Sequence, residues 1–463
     1  MSLQPKGDRR QGILPFVLKR AERDDVTARA GLPLVIETSR ALQLDEAARE
    51  LFGPPRRERD FGADEQIETL VTLIAAGGDR LADIEVLRED KGLVRLLGRP
   101  FASSDSLLDF LNSFHDPKCW AERPQKKRAF VAPESEKLAK LEQLNGKLVL
   151  RAADATSAVA TVDHDGTIIE AHKRDALIAY EGTRGYQPLV AAWAEEQLIL
   201  ADEFRDGNVC GGEDPLSSVK RAFATLPATV RDRYFRADSA AYYTPLLKWL
   251  VEEAIRFAIS ADMSKQLRRR CESLSPEAWQ LMESRERESV ELAEVEFEPD
   301  DWPKTADPLR YVALRFTALQ TDLLEQATPR YHAVVSNRRE LTSAELIQWH
   351  RGKAGTIEHV HRVMKDELGA GVMPCQKFGA NAAWFRINVI AFNVLTALKR
   401  KALPERYRQA RPKRLRFDVF TLPAKLAVHE SQLSAQVSAA SERLEELVAA
   451  RQALLKILEA APA

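Results

Sequence analysis

Between Leu32 and Phe114 apolar positions recur at helical spacing in short bursts. They predict helices over Leu34 to Leu51, Asp64 to Ala75, Leu81 to Leu87 and Leu93 to Leu97, with a break at Gly77-Gly78. A further helix is expected to start after the polar run Ser103-Ser104-Asp105-Ser106, just before Leu107. Short helices with tight joints are compatible with a helix-turn-helix. The last of them, however, carries Asp109 and no Lys or Arg, so a dimerising or end-packing helical region is at least as good a reading. His115 to Pro133 shows neither periodicity, holds three prolines and the basic run Lys126, Lys127 and Arg128, and reads as an exposed linker.

After a helix over Glu134 to Leu144 the pattern changes to strands. Ala158 to Val162 is a short β-rich run ending in Asp163-His164-Asp165-Gly166-Thr167, and Leu189 to Trp193 with Leu198 to Ala201 read as a hairpin. A helix capped by Asp214 with Pro215 at its first position should run to about Thr225. Then come a strand over Tyr234 to Asp238, a helix from Pro245 to Glu253 and a strand over Ile255 to Ser260. From about Asp262 to Leu341 an insertion offers strands at Val290 to Phe297, Arg310 to Phe316 and Tyr331 to Val335. Helices return at Ser343 to Trp349, Thr356 to Leu368 and Ala380 to Leu398. The tail from Leu433 to Leu458 has 4,3 apolar spacing, which fits a coiled coil or, more commonly for so short a run, one helix folded back on its domain.

Bulk composition narrows the class. Of 463 residues 30% are charged and 45% hydrophobic, which excludes global disorder and a membrane bundle. Ala382 to Leu398 is interrupted by Arg386, Asn388 and Asn393 and is shorter than the roughly 20 apolar residues a bilayer requires, so it predicts a buried helix. Met1 to Gly12 is polar, with Lys6, Arg9 and Arg10 and no apolar stretch behind them, so a cytoplasmic protein is expected. Cys119, Cys210, Cys271 and Cys375 have no CxxC spacing, which argues against zinc and against disulfides and for reduced, packed thiols. Net charge is −1, yet Lys399, Arg400, Lys401, Arg406, Arg408, Arg411, Lys413, Arg414 and Arg416 crowd one segment against only Glu405. Such a stripe either neutralises phosphates or is a solvated face.

Three acids sit where strands and helices could bring them together. Asp163 and Asp165 share one face of the first strand, and acids ending an apolar strand are costly without partners. Either is a metal ligand, or Asp165 caps the bend at Gly166. Asp238, in Arg236-Ala237-Asp238-Ser239, ends a strand before a helix, which suits a cleft at the carboxyl edge of a sheet but equally an ordinary N-cap. Glu358 shares a helical face with Arg362 and Lys365, as a ligand flanked by phosphate contacts or as half of an intrahelical ion pair. His359 and His361 point to different faces and do not suit zinc.

Together these segments resemble the DDE transposases of bacterial insertion sequences, which share an RNase H-like core. Asp165-Gly166-Thr167-Ile168-Ile169-Glu170 is similar to the family's first-Asp motif, Arg236-Ala237-Asp238-Ser239 to its second, and Glu358 with Lys365 to its Glu, six residues, Lys element. Gly185-Tyr186-Gln187-Pro188-Leu189 and Phe204-Arg205-Asp206-Gly207-Asn208 also resemble one branch of it. Where the family often carries Arg four residues before the Glu, this chain has Ala354, with Arg351 and Lys353 nearby.

The resemblance implies an α/β fold: an RNase H-like mixed sheet with flanking helices, an inserted partly β subdomain, and helical N- and C-terminal regions. It implies that Asp165, Asp238 and Glu358 hold two magnesium ions, which manganese can replace, for cleavage and strand transfer at element ends. Asp163 is the rival first ligand and Arg236 an accessory residue, while Arg351, Lys353, Arg362, Lys365, Lys399, Arg400 and Lys401 would hold DNA. The expected partners are double-stranded DNA and, on DNA, a second copy of the chain, at the nucleoid and not at a membrane. The expected organisation is a helical region and linker over 1–133, core over 134–261, insertion over 262–341, core again over 342–401, and a basic segment with C-terminal helix over 402–463. An RNase H-like nuclease or resolvase without strand joining, and a non-catalytic DNA-binding protein retaining the fold, are the rival readings.

Overall fold

A computed structural model describes residues 24–460 apart from 56, 58–59, 125–127, 174–175, 305–306, 319–327 and 431. The basic residues Lys6, Arg9, Arg10, Lys126 and Lys127 lie outside the described residues.

A nine-stranded sheet organises the chain. Its strands are β1 (Val159–Gly166), β2 (Leu189–Trp193), β3 (Leu198–Glu203), β4 (Asp232–Ala237), β5 (Arg256–Ala261), β6 (Gln280–Ser284), β7 (Glu288–Val295), β8 (Arg310–Ala318) and β9 (Arg330–Ser336). Spatial order is β6-β7-β8-β9-β5-β4-β1-β2-β3. β1, β2 and β3 form an antiparallel meander, and β4 and β5 add in parallel on the other side of β1. The order 3-2-1-4-5 with that mixture of directions is the RNase H-like core expected from the sequence. The insertion is no separate sheet: β9 pairs antiparallel with β5, so β6 to β9 extend the core sheet at that edge.

The N-terminal helices are α1 (Pro33–Ala41), α2 (Leu44–Phe52), α3 (Ala63–Ala76), α4 (Ile84–Glu89), α5 (Lys91–Leu97) and α6 (Ser104–Asn112). The run expected as one helix over Leu34 to Leu51 is split at Gln43, whose φ of 51° interrupts it, while Gly77 ends α3 with a φ of 100°. Ser103 caps α6 as expected, accepting a bond from the Ser106 N–H. The core helices are α7 (Glu136–Ala152), α8 (Pro215–Ala224), α9 (Thr244–Glu252), α10 (Lys265–Glu272), α11 (Ser343–Arg351), α12 (Ile357–Asp366) and α13 (Phe378–Lys401).

α13 is the pillar of the molecule. Every residue from Phe378 to Leu398 is buried, and α1, α3, α6, α7 and β3 pack around it. Its polar residues have partners that explain their burial. The Arg386 guanidinium joins Asp202 at 2.9 Å and Glu134 at 2.7 Å. Asn393 accepts from the Ile199 N–H at 2.8 Å and donates to the Ile199 carbonyl at 2.8 Å, satisfying the edge of β3 that no strand covers. Among the described residues no helix is long and apolar enough to cross a membrane.

Three expectations are corrected. Gln432–Val437 is a strand, not part of a long tail helix; it pairs with Ala424–His429, which pairs with Val26–Thr27. Its polar and apolar residues alternate, and the 4,3 count across Leu433, Val437 and Ala440 was coincidental. The tail helix is therefore only α14 (Ser441–Ala460); it folds back on α1, burying Leu447, Ala450 and Leu454. Asp214 does not cap α8 through its side chain; its φ is 40°, and the buried Arg205 guanidinium binds the Glu213 and Asp214 carbonyls at 2.6 and 3.1 Å. The cysteines are free, but only Cys271 and Cys375 are packed, while Cys210 is exposed.

Candidate active site

The carboxyl ends of three parallel neighbours, β1, β4 and β5, meet at one edge of the sheet, and each ends in an Asp: Asp165 inside the last turn of β1, Asp238 just after β4, Asp262 just after β5. That edge is where open α/β sheets place their sites, because the loops leaving the strands diverge there. All three acids line one cleft together with Tyr180, Gln187, Cys210, Gly211, Gly212 and Tyr242. Burial and the nearby Asp165 charge raise the Asp238 carboxyl above the ordinary carboxylate value; burial and the Asp238 charge do the same for Asp262. Asp238 also accepts from the Ala240 N–H at 3.1 Å, so it caps the following turn and faces the cleft at once.

Asp163 is a different kind of residue, although it shares a strand face with Asp165. It is fully buried and forms a two-pronged ion pair with Arg236, Nε to Oδ1 at 2.6 Å and Nη2 to Oδ2 at 2.8 Å. The third guanidinium nitrogen donates to the Trp349 carbonyl at 2.8 Å, and Thr356 Oγ1 donates to Asp163. The chain between α11 and α12 is thereby pinned over β1 and β4. Gly352 belongs to the same clamp: a Cβ there would stand 2.6 Å from Arg236 Nη1, so any larger residue must shift the guanidinium or the turn. His350 adds a bond to the Ala237 carbonyl at 3.0 Å, next to Asp238, and burial lowers its pKa.

Beyond the clamp, Lys353 forms an ion pair with Asp165 at 3.2 Å. Lys365, one face along α12, donates to the Ile168 carbonyl at 3.2 Å, three residues past Asp165. Glu358 lies on the flank of α12 that carries Lys365, and it is exposed. It is not among the residues lining the cleft of Asp165 and Asp238. Among the described residues no three His, Cys, Asp or Glu side chains stand close enough to hold a metal. The structure thus brings Asp165 and Asp238 together and docks the Glu358 helix beside them without placing Glu358 in the same cleft.

The remaining basic candidates are mostly engaged within the fold. Arg351 pairs with Glu283 of β6 at 3.1 Å. Arg400 is bound to Glu196 at 2.6 Å and to two backbone carbonyls, and Lys401 donates to the Ala153 carbonyl at 3.3 Å. Farther along, Arg406 pairs with Glu446, Arg411 with Glu367 and Arg414 with Asp418 at 2.5 Å. Much of the stripe from Lys399 to Arg416 is thus paired within the fold: counter-charges come from Glu196, Glu367 and Glu446, distant in sequence and invisible to a local charge count, and from Asp418 nearby. Lys399 faces a cavity lined by Thr356, His359 and Arg411 with no carboxylate, and burial lowers its amine to about 8. Arg362 stays exposed.

Sequence reasoning missed Asp262 and Gln187 as members of the cleft. The Gly185 to Leu189 motif held a signal for the second; Asp262 carried none beyond its place at a strand end.

A mixed sheet of this order with paired aspartates at its carboxyl edge is an RNase H-like core. The family described as "Transposase DDE domain group 1" matches residues 17–458, and the chain belongs to that family: it is a DDE transposase. Curated proteins offer no match. Among solved structures, one titled as the cryo-EM structure of the piggyBac transposase synaptic complex with hairpin DNA is similar at 13% identity and a TM-score of 0.43. The likeness covers 95% of this chain and 84% of that one.

Proposed function

We propose that this transposase cuts and joins DNA at the ends of an insertion sequence by metal-assisted phosphoryl transfer, with Asp165, Asp238 and Glu358 as the acids of its site. The observation that carries the reading is the pair Asp165 and Asp238, set at the ends of adjacent parallel strands in one cleft, where burial and the Asp165 charge raise the cost of charging Asp238. A buried carboxylate held beside another acid stabilises nothing in the fold; it favours a cation. Carboxylate and amide oxygens fit hard divalent ions such as magnesium, two of which would polarise a phosphodiester and lower the pKa of an attacking water or 3′-hydroxyl.

The chain's own residues do the positioning. The Asp163–Arg236 pair and Thr356 hold the start of α12 beside β1, so that Glu358 is carried next to the cleft on a helix rather than a loop. Lys353 keeps Asp165 compensated until a cation replaces it. Arg362 and Lys365, on the same flank as Glu358, are the proposed phosphate contacts, with Arg351 and Lys353 beside them. A homodimer assembled on DNA remains part of this proposal, as does the division of the chain at 133, 261, 341 and 401.

The test is cleavage of DNA carrying the element's own ends with magnesium present. Asp165→Asn, Asp238→Asn and Glu358→Gln should each abolish nicking while DNA affinity is retained. Joined products in the wild type support strand transfer; cut products alone would leave the nuclease reading. A Glu358→Gln enzyme with wild-type cleavage would remove Glu358 from the site.

A further inference from the structure

We infer that the cavity between α12, α13 and the turn joining β2 to β3 binds a small carboxylic acid with a compact apolar body, whose carboxylate pairs with the Lys399 ammonium. No residue lining this cavity lines the acidic cleft, so the inference stands apart from the reading of that cleft.

The first observation is a cation without a counter-charge. Three basic residues in a row end α13. Arg400 is spent on Glu196 and two carbonyls and Lys401 on the Ala153 carbonyl, but among the described residues nothing accepts a hydrogen bond from Lys399. The side chain is half-buried, and burial together with the Arg400 charge lowers its amine to about 8. An ammonium carries three donors, and taking it out of water with none of them satisfied is costly. Native folds keep such a group chiefly where a partner completes it.

The second observation is the space beside it. The cavity holds about 170 Å³, below the roughly 300 to 1,000 Å³ usual for larger ligands, so its guest is small. Its walls are largely apolar, with Trp193 of β2, Val360 and Val363 of α12, Phe392 and Leu395 of α13, and Leu415 beyond it. The Gln197 amide donates to Gln409 at 3.2 Å, which ties the turn between β2 and β3 to the chain after α13 and fixes two of the walls to each other.

Charge then selects the guest. Arg411 is already paired with Glu367 and Thr356 with Asp163, which leaves Lys399 as the cation of the wall with no carboxylate against it. One such charge calls for a monoanion, and a carboxylate forms the short charge-assisted bond an ammonium favours. The opening turn of α12 lies in the same wall, and its dipole adds to the attraction. The apolar walls take a ring or a branched body. A DNA phosphate, the other anion this chain meets, would bring a charged backbone against those walls instead.

The experiment titrates benzoate into the full-length protein without DNA, read by calorimetry and by the rise in melting temperature. Benzamide serves as the neutral isostere and acetate as the carboxylate without an apolar body. Benzoate should bind at a single site, and benzamide and acetate about tenfold or more weaker, the ratio that one charge-assisted hydrogen bond or a few buried carbons carry. Lys399→Met, which keeps the stem and removes the charge, and Ala410→Phe, which fills the cavity from a loop, should each weaken benzoate about tenfold or more. Should either variant fail to melt cooperatively, the other variant and the benzamide comparison still decide. Equal affinity for benzoate and benzamide, wild-type binding by either variant, or no saturable binding of benzoate overturns the inference. If Lys399→Met instead lowers the salt slope of DNA binding by about one unit and the wild type takes no benzoate, the amine serves a DNA phosphate and the inference falls.

Discussion

Asp163 and Arg236 face each other on adjacent parallel strands and close a doubly hydrogen-bonded ion pair, buried beneath the turn that leads to Glu358. The pair is structural in its contacts and functional in its placement, because the same guanidinium holds the Trp349 carbonyl and the same carboxylate holds Thr356. Removing one partner leaves the other charge buried and alone. Asp163→Asn or Arg236→Gln should therefore cost about 3–5 kcal/mol. Denaturant unfolding measures it, and the double variant should lose less than the two singles added together. Additive losses would mean the pair is not the anchor it looks to be.

Asp238→Asn should move stability and activity in opposite directions. Asn caps the turn after β4 as well as Asp does, and it removes a carboxylate whose charge burial and Asp165 disfavour. The folded value is raised above the unfolded one, so the stability this group lends is present at low pH and lost as pH rises through the folded value. At neutral pH in chelator the variant should melt above the wild type, while DNA nicking with magnesium falls by more than about a hundredfold, beyond what loss of a group behind a ligand causes. A lower melting temperature would contradict the repulsion argument.

Gly352→Ala tests the clamp from the backbone side. Its Cβ would meet Arg236 Nη1 at 2.6 Å, so the guanidinium must shift or the turn must lift. Either displaces α12, and a displacement of about 1 Å is enough to cost on the order of a hundredfold in rate. Cleavage should drop sharply with DNA affinity kept; unchanged cleavage would show that the turn tolerates the shift.

Lys399→Met should stabilise the protein at pH 7. The amine has a folded value of about 8, below the roughly 10.4 of an unfolded lysine, so the unfolded chain holds the proton more tightly. The penalty is complete below pH 8 and fades as pH rises toward the unfolded value. The gain at pH 7 should reach at most about 3 kcal/mol, less where water reaches the amine, and should vanish near pH 10. Melting curves of both proteins at pH 7 and 10 give the comparison, and a pH-independent difference would contradict it.

Arg400→Gln separates fold from DNA contact. Its guanidinium is spent on Glu196 and two carbonyls, so the variant should lose stability and keep the wild-type salt dependence of DNA binding. Arg362→Gln should do the reverse, reducing the salt slope by about one unit. A slope change in the first variant would return the stripe to the DNA surface.

Much of this protein is written locally along the chain. Short apolar runs at Leu189 to Trp193 and Leu198 to Ala201 made a hairpin, apolar runs with Arg386 and Asn393 inside them made a buried helix, and strand-end acids marked Asp165 and Asp238. Those features follow from backbone periodicity and from the cost of burying charge, which act over a few residues.

What tertiary structure alone decided are the partnerships. Asp163 and Asp165 share a face and a strand, yet one lies under the turn against Arg236 and the other opens on a cleft. The basic residues at and beyond the end of α13 find acids far away in sequence, Arg400 at Glu196, Arg411 at Glu367 and Arg406 at Glu446. Asp262 joins Asp238 only because β5 lies beside β4. Electrostatics and desolvation depend on distance in space and on exclusion of water, and neither is encoded in the spacing of residues along the chain.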